Sequence, residues 1–158
     1  MVCFSQLLWA GVGRNHRKYT APSAGGLNPV SLYVLTNDVD TMPKGLYKYD
    51  PVTHALDVLK EDDFRDSFYR AVLSQEAVRN AAANFVLAAS FVETVERYGE
   101  RGRRYVYMTA GAVAQNIALQ ATALRLGSVV MGAFKDRTMK RLLDLELDPI
   151  CVVCVGRI

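Results

Sequence analysis

Gly45-Leu-Tyr-Lys-Tyr-Asp50-Pro51-Val52-Thr53-His54-Ala55-Leu-Asp-Val-Leu-Lys60 is the stretch on which the fold class turns. Apolar and polar residues alternate on both sides of Asp50–His54, the pattern of two short strands joined by a tight turn. A hairpin is antiparallel by construction, and its alternation predicts a half-exposed pair. Upstream, Pro29–Asn37 carries β-branched and aromatic residues with little charge and reads as a strand. Downstream, the apolar run beginning at Phe85 reads as a central strand covered on both faces. Gly127–Phe134 and Ile150–Gly156 add two more strands, the first ending at a glycine.

Helices fill the intervals. Residues 3–10 predict a short helix closed by Gly11 and Gly13. Phe64, Phe68, Ala71, Val72, Val78 and Ala82 recur at helical spacing, giving one helix or two over residues 62–83. Asp136 is placed to cap a helix reaching Leu143. The longest helix is expected near 104–125, where proline is absent and charges are few. There Ala110, Ala114, Ala118 and Ala121 share a face with Gly111 alongside, letting another helix approach closely. A helix this apolar belongs in the core or at a subunit interface. Strands and helices interleave around a sheet that is not purely parallel, so residues 1–158 form a single α+β domain.

Composition narrows the function. With 158 residues, 51% of them apolar, 22% charged and a net charge of +3, the chain is neither disordered nor strongly basic. No apolar run is long enough to cross a bilayer, the opening residues lack a secretory pattern, and three cysteines make no even disulfide framework. A cytoplasmic protein with no membrane partner is expected. The basic clusters at 14–18, 101–104 and 137–141 come without a nucleic-acid motif, so no nucleic-acid partner is expected either. Cys151 and Cys154 sit three apart on a strand and project to opposite faces, and His16 and His54 look isolated, so no metal site is expected. Neither GxSxG nor GxxxxGK[ST] occurs.

Three places could bind a ligand. Thr20-Ala21-Pro22-Ser23-Ala24-Gly25-Gly26-Leu27-Asn28-Pro29 has prolines fixing its ends and two glycines baring its middle, so it can lie flat against a planar molecule. Met131, Gly132 and Ala133 follow a strand, where glycine permits close backbone approach. Gln75 lies at a helix junction with an amide that both donates and accepts.

These residues, with Leu7–Gly11, Leu32–Leu35, Gly45–Pro51, Tyr98–Gly102, Ala110–Asn116, Leu126–Ser128 and Val155–Arg157, run in the order of the nitroreductase family. The chain resembles its SagB-type branch, which includes enzymes oxidising azolines in peptide biosynthesis. The resemblance implies a mixed, mainly antiparallel central sheet flanked by helices, in an embracing homodimer with FMN at the subunit interface. It implies that Pro22, Ser23, Ala24 and Gly26 touch the flavin held mainly by the partner subunit. Met131, Gly132 and Ala133 would face its N5 edge, Gln75 its pyrimidine side, and Arg157 would lie toward its phosphate. Electrons would pass between NAD(P)H or a small substrate and an acceptor, with no catalytic residue assigned.

Two departures accompany the resemblance. The family's upstream Arg-x-Ser-x-Arg helix, which grips the phosphate, has no counterpart in this sequence, leaving Arg14, Arg17 and Lys18 as candidate substitutes. Where azole-forming relatives carry a Lys-Tyr pair, this chain has Arg104-Tyr105. The alternative is a non-catalytic family member serving as a dimeric scaffold or small-ligand binder.

Overall fold

The computed structural model describes residues 2–16, 18–40 and 42–158, so Arg17 lies outside them. A six-stranded sheet has the order β5-β4-β3-β6-β8-β7. Its strands are β3 (Val30–Thr36), β4 (Gly45–Asp50), β5 (Ala55–Lys60), β6 (Ala83–Ala89), β7 (Leu126–Met131) and β8 (Asp148–Arg157). All five pairings are antiparallel, so the expected mainly antiparallel sheet forms with no parallel pair among the described residues. Two two-residue strands, β1 (Arg14–Asn15) and β2 (Lys18–Tyr19), make a small separate ribbon.

The hairpin forms, with Tyr49 opposite Leu56 and Asp50 opposite Ala55, but its exposure divides by strand rather than alternating: β4 is largely buried beneath the helices, and the edge strand β5 is largely exposed. Its turn is built by the Asp50 carboxylate, which accepts from the Val52 amide (2.9 Å) and the Thr53 hydroxyl (2.6 Å). His54 is not isolated. Its Nε2 is hydrogen-bonded to the Ser5 hydroxyl (2.7 Å) and its Nδ1 to the Tyr49 hydroxyl (2.6 Å). The histidine thereby joins the hairpin tip to α1 (Val2–Val12).

Helices cover both faces. Leu32, Val34, Phe85, Leu87 and Val153 pack against α1 and the long α5 (Arg101–Ala123) through Phe4, Leu7, Val113 and Ile117. Leu35, Val86, Val152 and Cys154 pack against α2 (Arg65–Ala71), α3 (Glu76–Asn80) and α6 (Asp136–Leu143) through Phe68, Val78, Met139 and Leu143. This explains why β6 is buried at every residue instead of alternating. Cys151 and Cys154 do fall in opposite cores. Burial pushes their thiols up to about 11 and about 12, which makes both poor nucleophiles.

Several boundaries differ from expectation. Helix α1 continues through Gly11, because a side chain there would meet Ile117 at 3.0 Å, so the glycine admits α5 rather than ending α1. The segment 62–83 is two helices ending at Asn80, and Ala83 already belongs to β6. An unforeseen α4 (Val92–Tyr98) precedes α5, and Gly102 lets the two meet, since a Cβ there would collide with the Thr94 carbonyl. Asp136 is the first residue of α6 rather than its cap, placing its carboxylate near the unpaired amides of the first turn. β7 ends at Met131, leaving Gly132–Phe134 outside the strand.

Candidate functional site

The turn between α2 and α3 is left-handed at two consecutive side-chain-bearing residues, Leu73 (φ 58°) and Ser74 (φ 57°). Such backbone is costly and must be held by its surroundings. Gln75 supplies part of the hold: its Nε2 donates to the Val72 carbonyl and to the Ala133 carbonyl, each at 2.9 Å. The Lys135 amide donates to the Ala71 carbonyl at 3.0 Å. These bonds staple the segment after β7 onto the helix junction. Three of the expected site positions are thereby brought together. Gly132 and Ala133 are exposed, and a Cβ on Gly132 would meet nothing within 4 Å. Met131 differs, since its side chain is in the core, leaving only its backbone for a ligand.

Arg157 lies at the other end of the same strand pair. The β7–β8 register runs from Met131 opposite Val152 to Leu126 opposite Arg157, about 17 Å at ~3.4 Å per residue. A cavity of about 540 Å³ opens there, lined by Cys3, Phe4 and Leu7 of α1, the segment after β3, and Arg65, Arg79 and Arg157. The Arg65 Nη2 donates to the Asn37 carbonyl at 3.0 Å, while its Nε is buried without a partner.

Helix α3 lies between them, with Gln75 just before it and Arg79, which lines the cavity, in its last turn. Two buried amides fix that last turn. Asn37 Nδ2 donates to the carbonyls of Val78 (3.2 Å) and Ala81 (2.9 Å), and Asn84 Nδ2 donates to Val78 (3.0 Å). Asn37 is 4% exposed and Asn84 1%, so these bonds occupy carbonyls that water cannot reach.

The loop carrying Pro22, Ser23, Ala24 and Gly26 lies elsewhere. The Ser23 hydroxyl donates to Asn28 Oδ1 (2.9 Å) and accepts from the Asn28 amide (3.1 Å), so it closes its own loop rather than standing free. Gly25 has φ 60°, and a Cβ there would lie 2.6 Å from the Tyr98 hydroxyl and 2.8 Å from Arg97 Nη1. Gly26 has φ 70° with nothing within 4 Å of a Cβ. The Thr20 carbonyl accepts from Asn116 Nδ2 of α5 at 3.3 Å. The loop therefore rests on the α4–α5 layer, across the sheet from α3. Among the described residues, no hydrogen bond links it to Gln75 or Arg157.

Helix α5 buries Val106, Ala110, Val113, Ala114, Ile117 and Ala121 and leaves an opposite apolar stripe in solvent. Tyr107 is 55% exposed, Met108 64% and Leu119 60%, with open space above Gly111 between them. So α5 is core on one face only.

Arg14 and Lys18 do not line the Arg157 cavity; the Arg14 guanidinium lies over the Tyr19 ring within the β1–β2 ribbon. Arg65 and Arg79, not singled out from sequence, take that place. Both are single basic residues in amphipathic helical spacing, with no motif around them. Among the described residues no three His, Cys, Asp or Glu side chains are grouped to hold a metal, and no helix is long and apolar enough to cross a membrane.

The sequence profile of the nitroreductase family matches residues 3–157. A protein of Methanocaldococcus jannaschii named as a nitroreductase is 36% identical over 155 residues, covering 97% of this chain and 78% of its own length. A solved nitroreductase structure from Anabaena variabilis superposes with a TM-score of 0.91 at 27% identity, over 98% of this chain and 34% of that one. Another, from Desulfovibrio desulfuricans and in complex with FMN, shares the fold with a TM-score of 0.65 at 21% identity, over 99% of this chain and 73% of that one. The chain belongs to the nitroreductase family.

Proposed function

We propose that this protein is an FMN-dependent oxidoreductase acting as a homodimer, passing electrons from NAD(P)H to a small acceptor. The family is FMN-dependent, and the residues present suit that cofactor. The observation that carries the reading is the division of the candidate site. An open backbone edge at Gly132–Ala133 and an arginine-lined cavity sit near the two ends of the β7–β8 strand pair, while a bare glycine loop faces outward on the opposite side. Among the described residues no hydrogen bond joins the halves within one copy, whereas two copies docked through the exposed stripe of α5 would supply both to each site. A glycine at 111, where among the described residues nothing lies within 4 Å of a Cβ placed on it, suits close approach of a second helix, although it costs up to ~1 kcal/mol in a lone helix.

When bound, the flavin supplies the hydride chemistry. The protein's part is to bind and orient it. The Gly132 and Ala133 amides present donors to the ring's reactive edge. Gln75, with both N–H groups used on Val72 and Ala133, presents Oε1 as an acceptor for the ring's imide N–H. Arg157 faces the phosphate end. The partner's loop covers the ring and keeps water off it. The start of α5 argues against azoline dehydrogenation, because residue 104 is arginine and the Tyr105 ring packs edge-on against Tyr98 at 5.2 Å.

Purified protein should be yellow, elute as a dimer in light-scattering chromatography, and oxidise NADH or NADPH with a ping-pong pattern. Colourless dimeric protein that takes up no FMN at micromolar concentration would contradict the oxidoreductase reading and leave a scaffold.

A further inference from the structure

Helix α5 begins Arg101-Gly102-Arg103-Arg104, and its first turn holds no acidic residue. Cations crowded there oppose the helix dipole and one another, so folding gives no reason for them. Arg103 is accounted for: it pairs with Glu100 at 3.1 Å, and its guanidinium lies 5.6 Å from the Phe91 ring centroid. Arg101 and Arg104 are exposed, and among the described residues neither forms an ion pair. Both line an open hollow with Glu100, Arg103, Tyr107 and Met108. The Tyr107 ring is set against Phe91 at 5.4 Å, so the hollow offers an aromatic surface beside two uncommitted guanidinium groups. Its position is suggestive as well. At helical spacing Arg101, Arg104 and Met108 share the face that continues to Gly111 and Leu119, the seam through which two copies would dock. Tyr105, next to Arg104, packs on Tyr98 at 5.2 Å, and the Tyr98 hydroxyl lies against Gly25 of the covering loop.

We propose that Arg101 and Arg104 bind the 2′-phosphate of NADPH, with the adenine against Tyr107, and that the protein takes NADPH rather than NADH as its electron donor. The inference rests on the flavin reading above and deepens it by naming the donor. The two nicotinamides carry the same hydride and differ only in that phosphate, so the arginines act on binding and leave the transfer itself untouched. Phosphate oxygens accept from guanidinium N–H groups in forked pairs, the arrangement in which arginine outperforms lysine. An arginine beside the ribose is also the general device by which the 2′-phosphate is accommodated. Glu100 lines the same hollow, but its carboxylate is engaged by Arg103 and leaves the other two arginines to the ligand. Because the hollow is open to solvent, its attraction for the anion weakens as salt is added.

Steady-state oxidation of NADPH and of NADH by the FMN-loaded protein, with menadione as acceptor, isolates the phosphate. NADPH is expected to give a kcat/KM at least about 10-fold above that of NADH, with the difference in KM. Arg101→Gln and Arg104→Gln should each cut that ratio about 3-fold, and the double variant should bring it to about 1. The NADH values should stay unchanged throughout, whereas general damage would lower both donors together. Arg104→Lys should keep part of the preference. Arg70→Gln, exposed on α2 across the sheet, removes the same charge and should leave the ratio as it was. Added salt should shrink the ratio of the parent protein but not that of the double variant. Equal kcat/KM for the two donors, a preference for NADH, or a preference for NADPH that survives in the double variant overturns the proposal while the flavin reading stands. If neither donor is oxidised, that reading loses its donor, and adenosine 2′-monophosphate then decides the hollow. Thermal stabilisation by this nucleotide that is lost in the double variant supports the proposal, and stabilisation absent or equal in both proteins refutes it.

Discussion

The groove from Ala133 to Arg157 and the loop from Pro22 to Gly26 differ in how they are wired. The groove is held by bonds between residues far apart in sequence: Gln75 to Ala133, Lys135 to Ala71, Asn37 to Ala81. The loop is closed mainly on itself, through Ser23, Asn28 and Gly26. A region tied into the core by distant contacts is preorganised to fix a ligand's position. A region closed locally and open to solvent is suited to cover a ligand positioned by something else. Under the proposed function that something else is a second copy of the chain, since the two regions lie on opposite sides of one sheet.

Charging the α5 stripe should have the largest effect on both regions at once. Met108→Glu with Leu119→Glu should convert a dimer to monomer and lower flavin affinity by more than ~100-fold, because two unpaired carboxylates would be buried in the interface. Light scattering and a flavin titration on the same sample check both effects. A monomer that still binds flavin tightly would show that each chain builds its own complete site.

Within the groove, Gln75→Ala removes the bridge between the helix junction and Ala133. Flavin affinity should fall about 10-fold, from one lost bond and the loosened Leu73–Ser74 turn. Within the loop, adjacent glycines should behave differently. Gly25→Ala should destabilise the fold by about 2–3 kcal/mol, because positive φ and the clash with Tyr98 and Arg97 act together. Gly26→Ala meets open space and should cost only the backbone term, about 1 kcal/mol, while its methyl group intrudes on whatever the loop covers. Denaturant melts separate these two.

The last effect concerns pH and emerges only in alkaline solution. Tyr49, Cys151 and Cys154 are raised by burial to about 12, about 11 and about 12, from ordinary values of 10.0 and 9.0. The folded state therefore keeps protons that the unfolded chain releases. Stability is full below pH 9 and is lost as pH rises through the range 9 to 12. Melting temperature should decline over that interval, and the exposed Cys3 should react with a thiol reagent well before the other two.

How legible all this was depended on whether a signal was local. The hairpin, the buried run at Phe85 and the helix from Asp136 declare themselves within a few residues, and each is present. Helix α4 was missed because Val92–Tyr98 carries three charged residues in seven and packs mainly on α5 rather than on the sheet. Gly11 misled because a glycine that admits a neighbouring helix looks, in sequence, like one that ends a helix. The loop and the glycine after β7 were legible as backbone chemistry. Arg65 and Arg79 were not, since what distinguishes them is convergence on one cavity with Arg157. Asn84 offered a clue, being one polar residue in an apolar run, but the α3 carbonyl it holds is a tertiary fact.

Subunit complementation tests the shared site most directly. One variant carries a blocked loop, Gly26→Trp, and the other a disabled groove, Gln75→Ala with Arg157→Glu. Each homodimer has every site damaged and should bind FMN poorly. Refolded together, they form mixed dimers in which one site is doubly damaged and the other intact, so about one tightly bound flavin per mixed dimer should return. Mixtures that bind no more FMN than the separate variants would show that loop and groove never meet across an interface.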